Sequence, residues 1–209
     1  MPSGHTDRVE IRGREIPTWL QAAGVIGGFT ALLWIIELID AATGNDLDQY
    51  GVQPRSDEGL LGIVLAPLLH GGWDHLSANS GPLLVLGFLT LAAGLLRGLA
   101  AAAVIWVVGG VGVWLVAGSN TNHIGASGLV FGFLVYVVVR GIVNRRFWEI
   151  ALGAVVLFVY GGVLWGVLPG QPGVSWQGHL FGAIGGAIAA VVVSHRRDEV
   201  LRGLVPGRS

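Results

Sequence analysis

Long apolar runs alternate with short polar stretches along this chain, and the pattern predicts six membrane-spanning helices. Several runs reach about 18 residues or more, the length that crosses the hydrocarbon core of a bilayer. They cover roughly residues 19–39, 74–96, 99–116, 127–139, 147–168 and 176–193. We therefore predict an all-α membrane protein, with one six-helix domain over residues 18–195 between polar tails at 1–17 and 196–209.

The composition agrees with a membrane protein and excludes several kinds of chemistry. Only 12% of the 209 residues are charged, about half the fraction of a soluble domain. The chain has no Cys, and its 12 basic residues are all Arg, so disulfides, thiolate metal sites, Cys nucleophiles and Lys bases are excluded. The net charge is −1 and no basic patch carries interleaved aromatic residues, so we expect no nucleic-acid partner.

The Arg residues between the apolar runs indicate an orientation. They lie before the first run, between the second and third, between the fourth and fifth, and after the sixth, whereas the other three loops hold only Arg55. Because Arg favours the cytoplasmic side, we expect both termini in the cytoplasm, in the plasma membrane of a bacterium. The first run is too long for a signal peptide and lacks a small-residue cleavage site, so we expect it to be retained.

Four polar residues fall at similar depths in three different runs. Ser127 opens the fourth run about 12 residues, or roughly 18 Å of helix, from Arg140 at its inner end. His179 is about 14 residues, or roughly 21 Å, from the inner end of the sixth run. Asn79 and His75 lie in the outer part of the second run. Since polar residues in a membrane usually face the bundle interior, we expect these side chains to meet.

The fourth run is too short to cross a core of about 30 Å. Residues 118–126 should then enter the membrane as a non-helical loop, which is tolerated only where protein or water surrounds the backbone. Hydrolysis needs water, and the outer face is nearer to Ser127. We therefore expect water to arrive from outside, through residues 118–126 and the Gly- and Pro-rich loop 169–175, although the latter is equally consistent with a plain connection.

Small residues recur every fourth position beside the candidate Ser and His. They are Gly128 and Gly132 in the fourth run, and Gly178, Gly182 and Gly186 in the sixth. Such faces let helix backbones approach closely, so direct contact between Ser127 and His179 is sterically feasible. Either glycine motif alone is equally well explained by ordinary packing in a chain with 35 Gly.

These residue types suit acyl transfer. A Ser hydroxyl becomes a good nucleophile when a neighbouring His takes its proton, and donors must stabilise the resulting oxyanion. We expect Asn79, His75 and the backbone N–H of Ser127 to be those donors. No Asp or Glu lies at this depth, so a Ser-His dyad is favoured over a triad. Glu37, near the outer end of the first run, is expected to snorkel or to face the loop.

With these residues, the sequence resembles the rhomboid family of intramembrane serine proteases. Gly125-Ala126-Ser127-Gly128 fits the family's G-x-S-G nucleophile motif, and His179 with Gly182 and Gly186 fits its sixth helix. His70, His75 and Asn79 fit the second-helix region, where the latter two assist the oxyanion. The resemblance covers roughly residues 18–195. It implies a six-helix bundle that cleaves transmembrane protein substrates within the lipid bilayer, without metal or cofactor.

One departure and two alternatives remain open. The family's first external loop often carries a Trp-Arg pair, whereas residues 40–72 hold Arg55 without such a pair, which leaves the anchoring of this loop undetermined.

The runner-up function is an inactive relative that only binds clients, although the intact dyad argues against it. A small transporter or haem protein would instead use its His residues as ligands: His70, His75, His123 and His179. We expect His123 to be structural or to face the substrate.

Overall fold

The computed structural model describes residues 16–44 and 46–203, with side chains as far as residue 193. The predicted N-terminal tail lies almost wholly outside the described residues, as do the last six residues of the predicted C-terminal tail. The Arg side chains in both tails, which contribute to the predicted orientation, therefore also lie outside the described part.

The described chain is helical and contains no β-strand. Short 3-10 stretches cover Leu47–Tyr50, Ala66–Leu68 and Gly161–Val167. Val52 and His123 form an isolated antiparallel bridge between two loops. The α-helices are α1 (Thr18–Thr43), α2 (Asp57–Leu65), α3 (Trp73–Ala92), α4 (Leu95–Val116), α5 (Ser127–Asn144), α6 (Phe147–Tyr160) and α7 (Trp176–Gly203). This architecture confirms the predicted all-α class.

Six segments of the described chain are long and apolar enough to cross a membrane: α1, α3, α4, α5, α6 with its 3-10 extension, and the part of α7 up to Val193. They match the six predicted runs. The prediction that the fourth helix ends at Val139 is wrong, because α5 continues to Asn144. The expectation that this helix is too short to cross the bilayer is also wrong, because its 18 residues, about 27 Å of helix, reach the length of a membrane span. The loop before it, residues 117–126, is non-helical as predicted.

The fifth span changes its helix type near the predicted outer face. The prediction of one helix over 147–168 is wrong in this part, because α6 ends at Tyr160 and a 3-10 helix continues to Val167. The 3-10 stretch opens on Gly161 and Gly162, and Gly is a poor residue in an α-helix. Backbone carbonyls near the end of this stretch are therefore free to accept hydrogen bonds from elsewhere.

Helix α5 lies at the centre of the bundle and packs against α3, α4, α6 and α7. Its contact with α7 is close because glycines face each other. A Cβ on Gly182 would fall on the carbonyl of Gly128, and a Cβ on Gly186 would fall on that of Gly132. The two helix backbones therefore touch beside Ser127 and His179, as the four-residue glycine spacing indicates.

The first external loop, residues 44–72, contains the short helix α2, which the sequence analysis did not predict. Side chains of α4 anchor it: the Trp106 indole N–H donates to the Ile63 carbonyl at 2.9 Å, and the Trp114 indole N–H to the Ser56 carbonyl at 2.9 Å. The guanidinium of Arg55 donates to the Leu115 carbonyl at 3.0 Å. The anchoring that the missing Trp-Arg pair left undetermined thus comes from two Trp residues on a neighbouring helix and from Arg55 of the loop itself.

Candidate active site

Ser127 and His179 are in direct contact. Ser127 is the first residue of α5 and His179 lies in the first turn of α7. Their Oγ and Nε2 atoms are 2.9 Å apart. On the other side of the ring, Nδ1 is 2.9 Å from the Gly166 carbonyl. Because a carbonyl oxygen only accepts, the network assigns the ring proton to Nδ1, and Nε2 accepts the hydrogen bond from the Ser127 hydroxyl.

Two neighbours hold the His179 ring in place. The Gly166 carbonyl, at the end of the 3-10 stretch, fixes its tautomer. The ring of Phe131 stacks on it with centroids 4.0 Å apart and planes 9° apart. The sequence analysis missed both. Phe131 could have been predicted, because it lies four residues after Ser127 and therefore on the same face of the helix. The Gly166 carbonyl could not, because a sequence does not show which backbone carbonyl accepts a hydrogen bond.

The proposed oxyanion donors line a cleft of about 830 Å³ together with Ser127 and His179. The Nδ1 atom of His75 accepts the Gly71 N–H at 3.3 Å, so the proton of the neutral ring lies on Nε2. The Asn79 amide donates one N–H to the His75 carbonyl at 2.9 Å and keeps a second N–H. The Ser127 N–H lies in the first turn of α5, where backbone donors have no partner within the helix.

Gly125 allows His75 to approach the nucleophile. Its φ of +115° lies in a region that side chains disfavour, and a Cβ there would lie 2.7 Å from Cε1 and 2.8 Å from Nε2 of His75. Its N–H donates to the Ala66 carbonyl at 2.8 Å. The Gly of the G-x-S-G motif is therefore needed twice, for the turn and for the space that the imidazole occupies.

His70 supports the backbone just before the nucleophile. Its side chain is 1% exposed, and its Nε2 accepts the Ala126 N–H at 3.2 Å. Burial, and secondly the nearby His75, lower the pKa of His70 to about 4, so the ring is neutral near pH 7. A neutral ring is required here, because a protonated Nε2 could not accept the hydrogen bond.

His123 joins the two loops that border the cleft. Its Nδ1 is 2.7 Å from Ser175 Oγ and its Nε2 is 2.8 Å from Thr121 Oγ1. The Thr121 hydroxyl donates to the Gly118 carbonyl, so it accepts from Nε2–H, and Ser175 donates to Nδ1. Ser175 also accepts the Gly178 N–H at 3.2 Å, which caps α7. Burial lowers the pKa of His123, in keeping with this neutral form.

The Glu37 side chain is buried and does not extend to the membrane surface as a snorkelling acid would. Its side chain is only 2% exposed, and its carboxylate accepts a hydrogen bond from the Gly72 N–H. Gly72 immediately precedes α3, the helix that carries His75 and Asn79. Of the two expectations for Glu37, snorkelling is wrong, and the residue instead faces the end of the first external loop.

Comparison with known proteins gives the family. A model of the rhomboid domain matches residues 57–196, which begin after α1. Uncharacterized protein Rv1337 of Mycobacterium tuberculosis is 49% identical over 201 residues, which are 92% of this chain and 84% of that protein. Uncharacterized protein ML1171 of Mycobacterium leprae is 49% identical over 194 residues, 88% of this chain and 77% of that protein. No solved structure matches the chain. Since the domain model covers well over half of its residues, the chain belongs to the rhomboid family and is a multi-pass membrane protein.

Proposed function

We propose that this protein is an intramembrane serine protease with Ser127 as its nucleophile and His179 as its general base. Proteins of the rhomboid family are generally intramembrane serine proteases, although some members are inactive. The observation that carries the proposal is the 2.9 Å contact between Ser127 Oγ and His179 Nε2. The Gly166 carbonyl fixes the ring so that Nε2 has its lone pair directed at the hydroxyl.

For each step of peptide-bond hydrolysis, the site holds a side chain or backbone group that can perform it. As Ser127 Oγ attacks the carbonyl carbon of the scissile peptide, His179 Nε2 takes the hydroxyl proton. The Ser127 N–H, the Nε2–H of His75 and the free amide N–H of Asn79 donate to the oxyanion. His179 then gives its proton to the departing amine. In the second half, His179 takes a proton from a water molecule as the water oxygen attacks the acyl carbon. The bond from that carbon to Ser127 Oγ then breaks, His179 returns the proton to Oγ, and the new carboxyl end is released.

The substrate that best suits this site is a transmembrane segment of another protein. The cleft is lined by α3 on one side, including Pro82, and by the 3-10 stretch on the other, including Val163 and Trp165. Helix α6 packs mainly against α5, and its Phe158 is 90% exposed, so this side of the bundle offers an apolar surface to lipid. A substrate helix would enter between α3 and α6, with the loop before α7 moving aside.

The location of the site in the membrane completes the proposal. Ser127 lies at the end of α5 opposite Arg140, and the loops beside it contain no Arg or Lys between residues 117 and 126 or 169 and 175. By the positive-inside rule, the cleft opens to the outer face of the plasma membrane and both termini lie in the cytoplasm.

Ligation of haem or transport through a His pathway is less well supported. Both ring nitrogens of His123 and His179 are engaged in hydrogen bonds. A haem ligand needs a free nitrogen lone pair, so neither side chain could bind iron without breaking this network. The inactive relative, which would only bind clients, is opposed by the directed contact between the Ser and His of the dyad.

A cleavage assay tests the proposal. The full chain is purified, reconstituted in bilayers and mixed with a model single-span membrane protein. Wild type should cut it, whereas Ser127→Ala and His179→Ala should leave it intact. Ser77→Ala, an exposed position on α3, is the matched control and should retain activity. Circular dichroism and thermal unfolding check that each variant is folded. Near-normal cleavage by a folded Ser127→Ala protein would refute the mechanism.

A further inference from the structure

We propose that Glu37 of α1 is a positioning residue for His75 and acts on it through the turn that precedes α3. The proposal rests on the protease function proposed above, in which His75 donates to the oxyanion, and it adds a residue to that site. Glu37 lies outside the segment that the rhomboid domain model matches, which begins at residue 57. It does not line the cleft that contains Ser127 and His179, so its effect on catalysis is indirect.

The Glu37 side chain is directed into the bundle. It lies on the buried face of α1, and α1 packs mainly against α3. The side chain is 2% exposed, and a buried carboxylate is costly unless it is hydrogen-bonded. Its partner is the Gly72 N–H. Asp40 is equally buried but accepts the Leu47 N–H at 2.7 Å, so the two acids hold opposite ends of the first external loop.

The turn that Glu37 holds also fixes the ring of His75. The Gly71 N–H donates to Nδ1 of His75 at 3.3 Å, which leaves the ring proton on Nε2, the atom that donates to the oxyanion. The Gly72 N–H belongs to the next residue, so the peptide units that carry the two N–H groups adjoin. A shift of Gly72 would therefore move the donor that orients His75.

Hydrogen bonds rather than packing define the position of this turn. Gly71 and Gly72 have no side chains. Among the described residues, a Cβ on Gly72 would meet nothing within 4 Å, and one on Gly71 would meet only Ile124 Cδ1 at 3.8 Å. Gly72 has a φ of +102°, which few residues other than Gly adopt. Loss of the acceptor at Glu37 would thus leave the turn free to move.

The turn requires the acceptor at Glu37 rather than its charge. Asp40 and Asp48 lie close enough to Glu37 to disfavour its negative charge, because like charges repel. Glu37→Gln keeps the length of the side chain and an oxygen that can accept the Gly72 N–H. Glu37→Asp keeps the charge but is shorter by one methylene group, so its carboxylate withdraws from Gly72. These two variants therefore separate the acceptor from the charge.

General attachment of α1 to α3 is the alternative explanation, and Trp34 provides the control for it. The Trp34 indole N–H donates to Ser80 Oγ at 3.0 Å, so this bond joins the same two helices. Trp34→Phe removes the bond and keeps an aromatic ring beside Trp73. It should leave the cleavage rate unchanged, because it leaves the turn before α3 in place.

Cleavage of a single-span substrate by the full chain in bilayers gives kcat and KM. Glu37→Met, which lacks a comparable acceptor, should lower kcat about five- to tenfold, the effect of losing one hydrogen bond. KM should not change, because contacts to the oxyanion form only in the transition state. Glu37→Asp should also lower kcat, whereas Glu37→Gln and Trp34→Phe should retain it. In a His75→Ala background Glu37→Met should have no further effect, because the ring through which it acts is absent.

Thermal unfolding identifies the folded variants, and Glu37→Asp against Glu37→Gln decides the matter if Glu37→Met does not fold. Wild-type kcat in folded Glu37→Met and Glu37→Asp would overturn the proposal. An equal loss in Trp34→Phe would overturn it in favour of general helix packing, and an undiminished loss in the His75→Ala background would exclude the route through His75. In all these outcomes wild type cleaves the substrate. An inactive wild type would instead refute the proposed function, and this role of Glu37 with it.

Discussion

The close contact between α5 and α7 makes the effect of one added methyl group calculable. A Cβ on Gly182 would fall on the Gly128 carbonyl and lie 2.9 Å from Gly128 Cα. Ordinary contact between carbon atoms is about 3.5 to 4.0 Å, so in Gly182→Ala the two helices must separate by about 1 Å. Ser127 adjoins Gly128, and His179 is three residues before Gly182. The 2.9 Å bond between them should therefore lengthen to about 4 Å, beyond hydrogen-bond distance.

A misplacement of this size should lower the cleavage rate about 100-fold, and overpacking should lower the free energy of unfolding by about 1 to 3 kcal/mol. The cleavage rate per mole of folded protein and the thermal unfolding of the same sample measure the two effects. Gly28→Ala is the matched control, since a Cβ on Gly28 in α1 meets nothing within 4 Å. A wild-type rate in Gly182→Ala, or an equal loss in Gly28→Ala, would refute this account of the helix contact.

Three further predictions concern the oxyanion donors, acid stability and access. His75→Ala and Asn79→Ala should each lower turnover by about 100- to 1,000-fold in folded protein, and unchanged rates in both would remove them from the site. The folded pKa of His70, about 4, lies below the value of 6.5 for the free side chain, so the unfolded state takes up its proton first and stability should fall by about 3 kcal/mol between pH 6.5 and 4. In His70→Gln the decline in melting temperature on acidification should be smaller than in wild type, and an unaltered decline would contradict this assignment. Ser127→Cys should react with a membrane-impermeant thiol reagent from the outer side of the membrane, and faster reaction from the cytoplasmic side would contradict the orientation.

The sequence was informative where the type of a residue and its distance along a helix are enough to place it in the bundle. Helix rise placed Ser127 and His179 at similar depths, and the structure puts their side chains in contact. Glycine spacing likewise indicated the face on which α5 meets α7. These inferences needed only a regular helix and a boundary marked by Arg140. The same boundary also produced an error, because a charged residue can lie within a helix and α5 continues past it to Asn144.

Features that depend on the backbone or on contacts between distant segments were not predictable. The Gly166 carbonyl orients His179, but it is available only because the fifth span changes to a 3-10 helix. Helix α2 is nine residues long, too short for its pattern to stand out, and Trp106 and Trp114 hold it from another helix. The pairing of His123 with Ser175 joins residues that are 52 positions apart, a separation that no local pattern shows.

Labelling by a fluorophosphonate probe tests the central claim most directly, because the probe bonds covalently only to an activated Ser. The purified full chain in detergent should take up one probe per molecule, and peptide mapping should locate it on Ser127. Ser127→Ala should take up none, and His179→Ala should react far more slowly, whereas Ser77→Ala should behave like wild type. Equal labelling of folded Ser127→Ala, or a label mapped to another residue, would contradict the assignment of Ser127 as a nucleophile activated by His179.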